Sequence, residues 1–196
     1  KFQLHFTILN DQVTLSLDTS GQGLHKRGYR AIGNDAPLHE TLAAGMIQLT
    51  RYRGRDFFWD PFCGSGTIPI EAALIAKNRA PGLNRTFAAM EYPWMDENIW
   101  KQVKEEAKDK EFNGQYRIVG SDNDPACVSL CFANARKAGV SDIVTFKDGD
   151  ATKMPLPSDS GIIVCNPPYG ERMLEQQSAQ RLYGAFGRHL KFANDW

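Results

Sequence analysis

The sequence predicts an α/β protein built on a doubly wound, mostly parallel sheet, and three observations carry that expectation. Four short β-rich segments alternate with segments of helical periodicity between residues 57 and 193. A glycine turn, Cys-Gly-Ser-Gly-Thr at 63–67, joins the first of them to its helix. Each β-rich segment ends on a polar residue, Asp60, Asp122, Asp150 or Asn166. In a sheet with right-handed crossovers those four ends face one crevice.

A chain of 196 residues suits one domain, with room for a small appendage, and can bury a core without staples. Lysine plus arginine total 23 and aspartate plus glutamate total 23, so no net field draws the chain onto a polyanion and nucleic-acid contact has to come from local patches. The four cysteines, Cys63, Cys127, Cys131 and Cys165, are scattered over strand ends and helix without a leader-like segment, and are expected to be reduced intracellular thiols. Cys127 and Cys131 lie one helical turn apart, but no CxxC pair or nearby histidine completes a metal set, so packing is the expected role. No apolar run approaches the roughly 20 residues of a membrane span.

Residues 2–9 and 12–18 alternate apolar and polar about Asn10-Asp11, which predicts an antiparallel hairpin outside the main sheet. Residues 19–30 are glycine-rich and basic and read as a connector. From 36 to 50, Leu38, Leu42, Met46 and Leu49 recur at helical spacing with Pro37 in the first turn. A strand at 57–59, the glycine turn and a helix with Ile68, Ala72 and Ile75 on one face make the first βα unit. Residues 79 to about 114 read as an insertion carrying a solvated charged helix. The second unit runs from 116 through a helix capped by Asp124 and stopped by Gly139. Strands at 143–150 and 161–166 follow, then a helix at 179–193.

The glycines at 64 and 66 let backbone approach a ligand, and the helix start after Thr67 offers free N–H groups to an anion such as a carboxylate, although a tight structural turn has the same signature. Asp122, at the end of the second strand, is placed to accept both hydroxyls of a ribose; a helix cap is the competing reading. Its separation from Asp60 exceeds the usual ~20 residues because of the insertion. At 166–169 the fourth strand runs into Asn-Pro-Pro-Tyr. Two prolines fix φ and remove donors, which serves either a plain strand terminator or a rigid acceptor turn.

The pair "DPFCGSGT" and "NPPYGERM" resembles the S-adenosylmethionine-dependent amino-group methyltransferases. An exocyclic amine on a base is a poor nucleophile, and two fixed acceptors, the Asn166 side-chain carbonyl and the Pro167 carbonyl, can localise its lone pair. Pro167 and Pro168 hold the turn, and Tyr169 offers a face on which a flipped-out base stacks. "LHKRGYR", "APLHETLAAGM", "DPFCGSGTIPIEAALIAKNRAPGLNR" and "NPPYGERM" together resemble the THUMP-associated RNA methyltransferases, in particular the bacterial RlmL/YpsC-like proteins that methylate N2 of a guanine in 23S ribosomal RNA. The resemblance spans roughly residues 13–190. It implies a Rossmann-like class I methyltransferase fold, S-adenosylmethionine as cofactor, RNA as partner and a cytoplasmic location.

The same resemblance implies that Asp60, Cys63, Gly64, Gly66 and Thr67 surround the methionine part of the cofactor. It sets Asp122 and Asn123 at the ribose, Asp150 and Ala151 at the adenine, and Glu40 and Thr41 near the carboxylate end. Asn166 borders cofactor and amine, and Asn166, Pro167, Pro168 and Tyr169 hold the target. Residues 1–30 are expected to be the end of a THUMP-associated region with its basic linker, and 31–196 an incomplete methyltransferase domain. Arg27, Arg30, Arg51, Arg53, Arg55 and Arg172 are candidate phosphate contacts. Transfer RNA guanine, DNA adenine N6, and a catalytically silent RNA-binding domain remain open. A nicotinamide dehydrogenase does not fit, because Pro69 stands where the third glycine of GxGxxG belongs.

Overall fold

In the computed structural model, which describes residues 2–30, 38–169, 173–191, 193, 195 and 196, the chain builds a parallel sheet preceded by a separate hairpin. The hairpin pairs β1 (Leu4–Leu9) with β2 (Gln12–Leu17) about Asn10 and Asp11, whose φ values of 51° and 59° suit a two-residue turn matching the strand twist. Its register brings Leu4, Phe6 and Ile8 opposite Leu17, Leu15 and Val13 on one face, all exposed.

The main sheet contains β3 (Phe58–Asp60), β4 (Ile118–Asp122), β5 (Val144–Asp148) and β6 (Ile162–Ile163), in the order β5-β4-β3-β6 and parallel throughout. The chain lays β3 first, adds β4 and β5 on one side, then returns to place β6 on the other. Strand order therefore reverses at β3, and the carboxyl end of β3 lies where such sheets bind ligands.

Alternate strand residues feed two cores. Phe58, Ile118, Val144 and Phe146 pack beneath α1 (Glu40–Leu49), α2 (Thr67–Ala76) and α4 (Pro125–Ala138). Phe57, Trp59 and Val119 face the other way, against Met154, Leu156 and the Phe186, Leu190 and Trp196 side chains. Phe186 and Leu190 belong to α5 (Met173–Leu190). The Trp59 indole N–H donates to the Ser121 hydroxyl at 3.0 Å, satisfying the one polar atom that this second core takes from the tryptophan.

Several expectations shift. The buried stripe of α1 is Glu40, Ala43 and Ile47, while Leu42 and Leu49 of the predicted apolar face are exposed, because α1 meets α2 through the small Ala43 and anchors Glu40 internally. Pro37 lies outside the described residues. α2 is buried on almost every side, since the sheet, α1 and α4 all pack on it. α5 begins at Met173, earlier than expected, and ends at Leu190. The insertion helix α3 (Glu97–Asp109) buries no residue and starts at Asp96, whose carboxylate accepts the Asn98 N–H at 2.8 Å. Asp124 caps α4 by accepting the Ala126 N–H at 2.8 Å, and Gly139 stops it at φ 75°, both as expected.

The glycine-rich connector is bound tightly to the domain. The Arg85 guanidinium donates to the carbonyls of Ser20 (3.2 Å) and Gly23 (3.1 Å), and Tyr29 is 2% exposed within the larger core. Among the described residues no helix is long and apolar enough to cross a membrane.

Candidate active site

Asp60 ends β3 as a carboxylate 1% exposed. One oxygen accepts the Phe62 N–H at 3.1 Å. Burial pushes the Asp60 carboxyl up to about 8, with the neighbouring Asp122 charge acting in the same direction and the Phe62 N–H opposing it. A carboxylate held this way at a strand end favours a cationic ligand, which would restore the ionised form.

The glycine turn is closed by backbone and by Asp122. Gly66 donates to the Cys63 carbonyl at 2.7 Å, and Cys63 donates to the Ser121 carbonyl at 2.9 Å. Gly66 has φ 83°, and a Cβ there would stand 3.1 Å from the Cys131 Sγ. Both conformation and space therefore require glycine. Thr67 opens α2, and no side chain caps that helix start. Pro69, in the third-glycine position, sits over Gly120: a Cβ at 120 would lie 3.0 Å from the Pro69 ring. The close helix–strand approach that a third glycine usually allows is obtained here from the strand side.

Asp122 ends β4 with each oxygen already accepting one N–H, Gly64 at 2.9 Å and Asp124 at 3.1 Å. A carboxylate has about four lone-pair sites, so the ribose role expected for it remains available. Asn123 beside it is exposed. Beyond β5, Asp150 accepts the Thr152 amide (2.9 Å) and hydroxyl (2.7 Å) on one oxygen and meets the Lys153 ammonium at 2.9 Å on the other. The Thr152 hydrogen bonds first, and then Lys153, draw its carboxyl down to about 2. Ala151 is buried under this turn.

Past β6, Asn166 and Tyr169 are exposed, Tyr169 by 62%. Among the described residues neither the Asn166 side chain nor the Pro167 carbonyl takes part in a protein hydrogen bond. The Pro168 carbonyl does: the Tyr183 hydroxyl of α5 donates to it at 2.8 Å. Tyr183 had no local signature, because nothing in the sequence pairs position 183 with 168. Cys165, just before the turn, is half-buried, and burial followed by the Asp60 charge pushes its thiol up to about 12.

Arg27 and Arg30 are corrected from phosphate contacts to internal anchors. Arg27 Nε lies 3.5 Å from the Glu71 carboxylate, and the Tyr29 hydroxyl donates to that carboxylate at 3.1 Å. Arg30 donates to the Leu38 carbonyl (2.9 Å) and the Thr67 hydroxyl (2.8 Å), with Glu40 at 3.6 Å. Glu40 is thus buried at the start of α1 and tied through Arg30 to the start of α2, while Thr41 is exposed. Arg51, Arg53 and Arg55 precede β3, at the amino end of the sheet and so opposite the crevice. Arg172 lies outside the described residues.

Cys63 and Cys131 approach to 3.7 Å between sulfurs within the core, and their mutual hydrogen bond, together with burial, raises the Cys63 thiol strongly. Among the described residues no group of histidine, cysteine or acidic side chains is arranged to hold a metal.

Residues 27–194 match the family described as RMKL-like, methyltransferase domain. The chain is 40% identical over its whole length to YpsC of Bacillus subtilis, provisionally named an RNA methyltransferase, and covers 51% of it. It is 40% identical, over 96% of this chain, to ribosomal RNA large subunit methyltransferase K/L of Aliivibrio fischeri, covering 28% of that protein. A solved structure from Listeria monocytogenes, described as a predicted N6-adenine-specific DNA methylase, superposes with a TM-score of 0.94 at 42% identity, covering all of this chain and 52% of that one. SMU.472, provisionally named a methyltransferase and solved with SAH, gives 0.89 at 38% identity over all of this chain and 51% of its own. The chain thus spans about half the length of YpsC and of both structures. The parallel sheet with its polar residues at the carboxyl ends and the family match lead to one conclusion: this chain belongs to the RMKL-like methyltransferase domains.

Proposed function

We propose that the chain is the catalytic part of an RNA methyltransferase that uses S-adenosylmethionine and modifies the exocyclic N2 amine of a guanine in 23S ribosomal RNA. The observation that carries this reading is the adjacency of two strand ends. β3 ends on the buried, cation-seeking Asp60, and its neighbour β6 leads to the Asn166-Pro-Pro-Tyr169 turn, whose Asn166 side chain and Pro167 carbonyl take no protein hydrogen bond among the described residues.

The residues fit the cofactor by the chemistry of their donor set. Asp60 suits a positive group, the uncapped start of α2 with Gly64 and Gly66 suits a carboxylate, and Asp122 with Asn123 suits ribose hydroxyls. When bound, S-adenosylmethionine supplies a methyl group activated on a sulfonium. Asn166 and Pro167 accept the two N–H groups of the amine and orient its lone pair, and Tyr169 stacks on the base. No strong base is needed, because the amine loses its proton after it has become cationic. Ala151, beside Asp150, lies at the adenine end. A ribosomal RNA substrate makes the cytoplasm the working compartment.

The test is mass spectrometry of ribosomal nucleosides from a strain lacking the gene, complemented by parent or Asn166→Ala protein. Loss of one N2-methylguanosine, restored only by the parent, is expected. A full set of N2-methylguanosines in the deletion strain would overturn the reading. The description of the Listeria structure favours a second reading, DNA adenine N6 methylation. Loss of N6-methyladenine from genomic DNA in the same strain would establish it instead.

A further inference from the structure

We infer that Tyr183 is a positioning residue for the Asn166–Tyr169 turn, acting through Pro168 on Tyr169; this rests on the reading of that turn as the one that binds the target amine. Proline fixes φ but leaves ψ free. At Pro167 the following proline restricts ψ as well, because the residue before a proline is confined to extended geometry. Pro168 is followed by Tyr169, so ψ of Pro168 is the one backbone rotation within the proline pair that the sequence leaves open. That rotation swings the Pro168 carbonyl together with the Tyr169 peptide and ring. The Tyr183 hydroxyl grips that carbonyl at 2.8 Å.

Tyr183 is itself held in place. Tyr183, Phe186 and His189 stand at i, i+3 and i+6, on one face of α5. Phe186 packs edge-on to Trp59 at 6.0 Å and to Phe62 at 5.3 Å, and a His189 ring nitrogen lies 2.8 Å from the Met154 carbonyl. Phe62 is in the segment between Asp60 and the glycine turn. One helix face therefore fixes the stacking platform relative to the cofactor side of the crevice. Tyr169 is 62% exposed, so burial does little to set its direction.

The experiment compares Tyr183→Phe, Tyr169→Ala, their combination and Asn166→Ala in the full-length protein, with ribosomal RNA from the deletion strain as substrate. Tyr183→Phe should lower kcat/KM by about three- to tenfold, the size of one neutral hydrogen bond. Binding of S-adenosylhomocysteine and the melting temperature should stay at parent values. In the Tyr169→Ala background the same substitution should have no further effect, a coupling that a merely structural role would not give. Amide exchange in a peptide covering 162–169 should speed up in Tyr183→Phe without substrate. Parent kcat/KM in Tyr183→Phe, or additive losses in the double variant, would overturn the inference. Full activity in Asn166→Ala would instead overturn the reading of the turn on which it rests.

Discussion

Asp122 at the end of β4 accepts the Gly64 N–H at 2.9 Å, so the acidic residue of one strand closes the glycine turn that follows its neighbour. The two features look independent in sequence, yet they form one object. In the proposed cofactor site, Asp122 would serve the ribose from a position that also shapes the glycine turn.

Asp122→Ala should therefore do more than remove one ligand contact. Calorimetry with S-adenosylhomocysteine should show a loss larger than the about 1.5–3 kcal/mol typical of a hydrogen bond to a charged group. Asp122→Asn keeps an acceptor for Gly64 and should fall between the two. Equal affinity in parent and alanine variant would remove Asp122 from the cofactor site.

The burial of Asp60 makes stability and binding respond oppositely to pH. Its folded-state value of about 8 lies above the ordinary 3.8, so the folded protein holds a proton that the unfolded chain releases in between. The stability this gives is complete below 3.8 and is lost as pH rises through about 8. Asp60→Asn should flatten that part of the decline in melting temperature. Binding of a cationic cofactor needs the ionised form, so affinity should rise by up to about tenfold per pH unit and level off above pH 8. Affinity independent of pH would place the cation elsewhere.

Asn166→Ala should cost on the order of 10²–10³ in methyl transfer, by analogy with removal of one acceptor or donor at a developing charge. Cofactor affinity should change little, since the side chain is assigned to the amine. Single-turnover kinetics separate the two effects, and near-parent turnover would exclude the proposed lone-pair mechanism.

Arg27→Ala should destabilise the fold rather than weaken RNA binding. It leaves Glu71, 2% exposed and pushed by burial up to about 7, without its ion-pair partner. The loss should reach up to about 3 kcal/mol, the low end for breaking a buried pair, because the Arg27 side chain keeps 13% exposure. Chemical denaturation measures it. It should shrink below pH 7, where Glu71 takes up a proton. A changed salt dependence of RNA affinity with unchanged stability would restore Arg27 as a phosphate contact.

The sequence by itself determined what local chemistry dictates. Asn10-Asp11 specified the hairpin turn, Asp124 and Gly139 the limits of α4, and Asp60 and Asp122 the ends of β3 and β4, whereas β5 stops at Asp148 and β6 at Ile163, short of the expected Asp150 and Asn166. It determined the restricted backbone at 166–168 as well, because prolines act on their own backbone and their immediate predecessors. Only the tertiary structure decided which face of α1 is buried, since Ala43 and Ile47 gain that place from the approach of α2 and from the Arg30–Glu40 pair. The basic connector became an internal anchor by the same means: whether an arginine meets phosphate or a buried carboxylate depends on what folds over it. Pro69 over Gly120, Asp122 on Gly64 and Tyr183 on Pro168 join residues 51, 58 and 15 positions apart. No periodicity or motif links such pairs, because the contact exists only once the crossovers have brought the strand ends together.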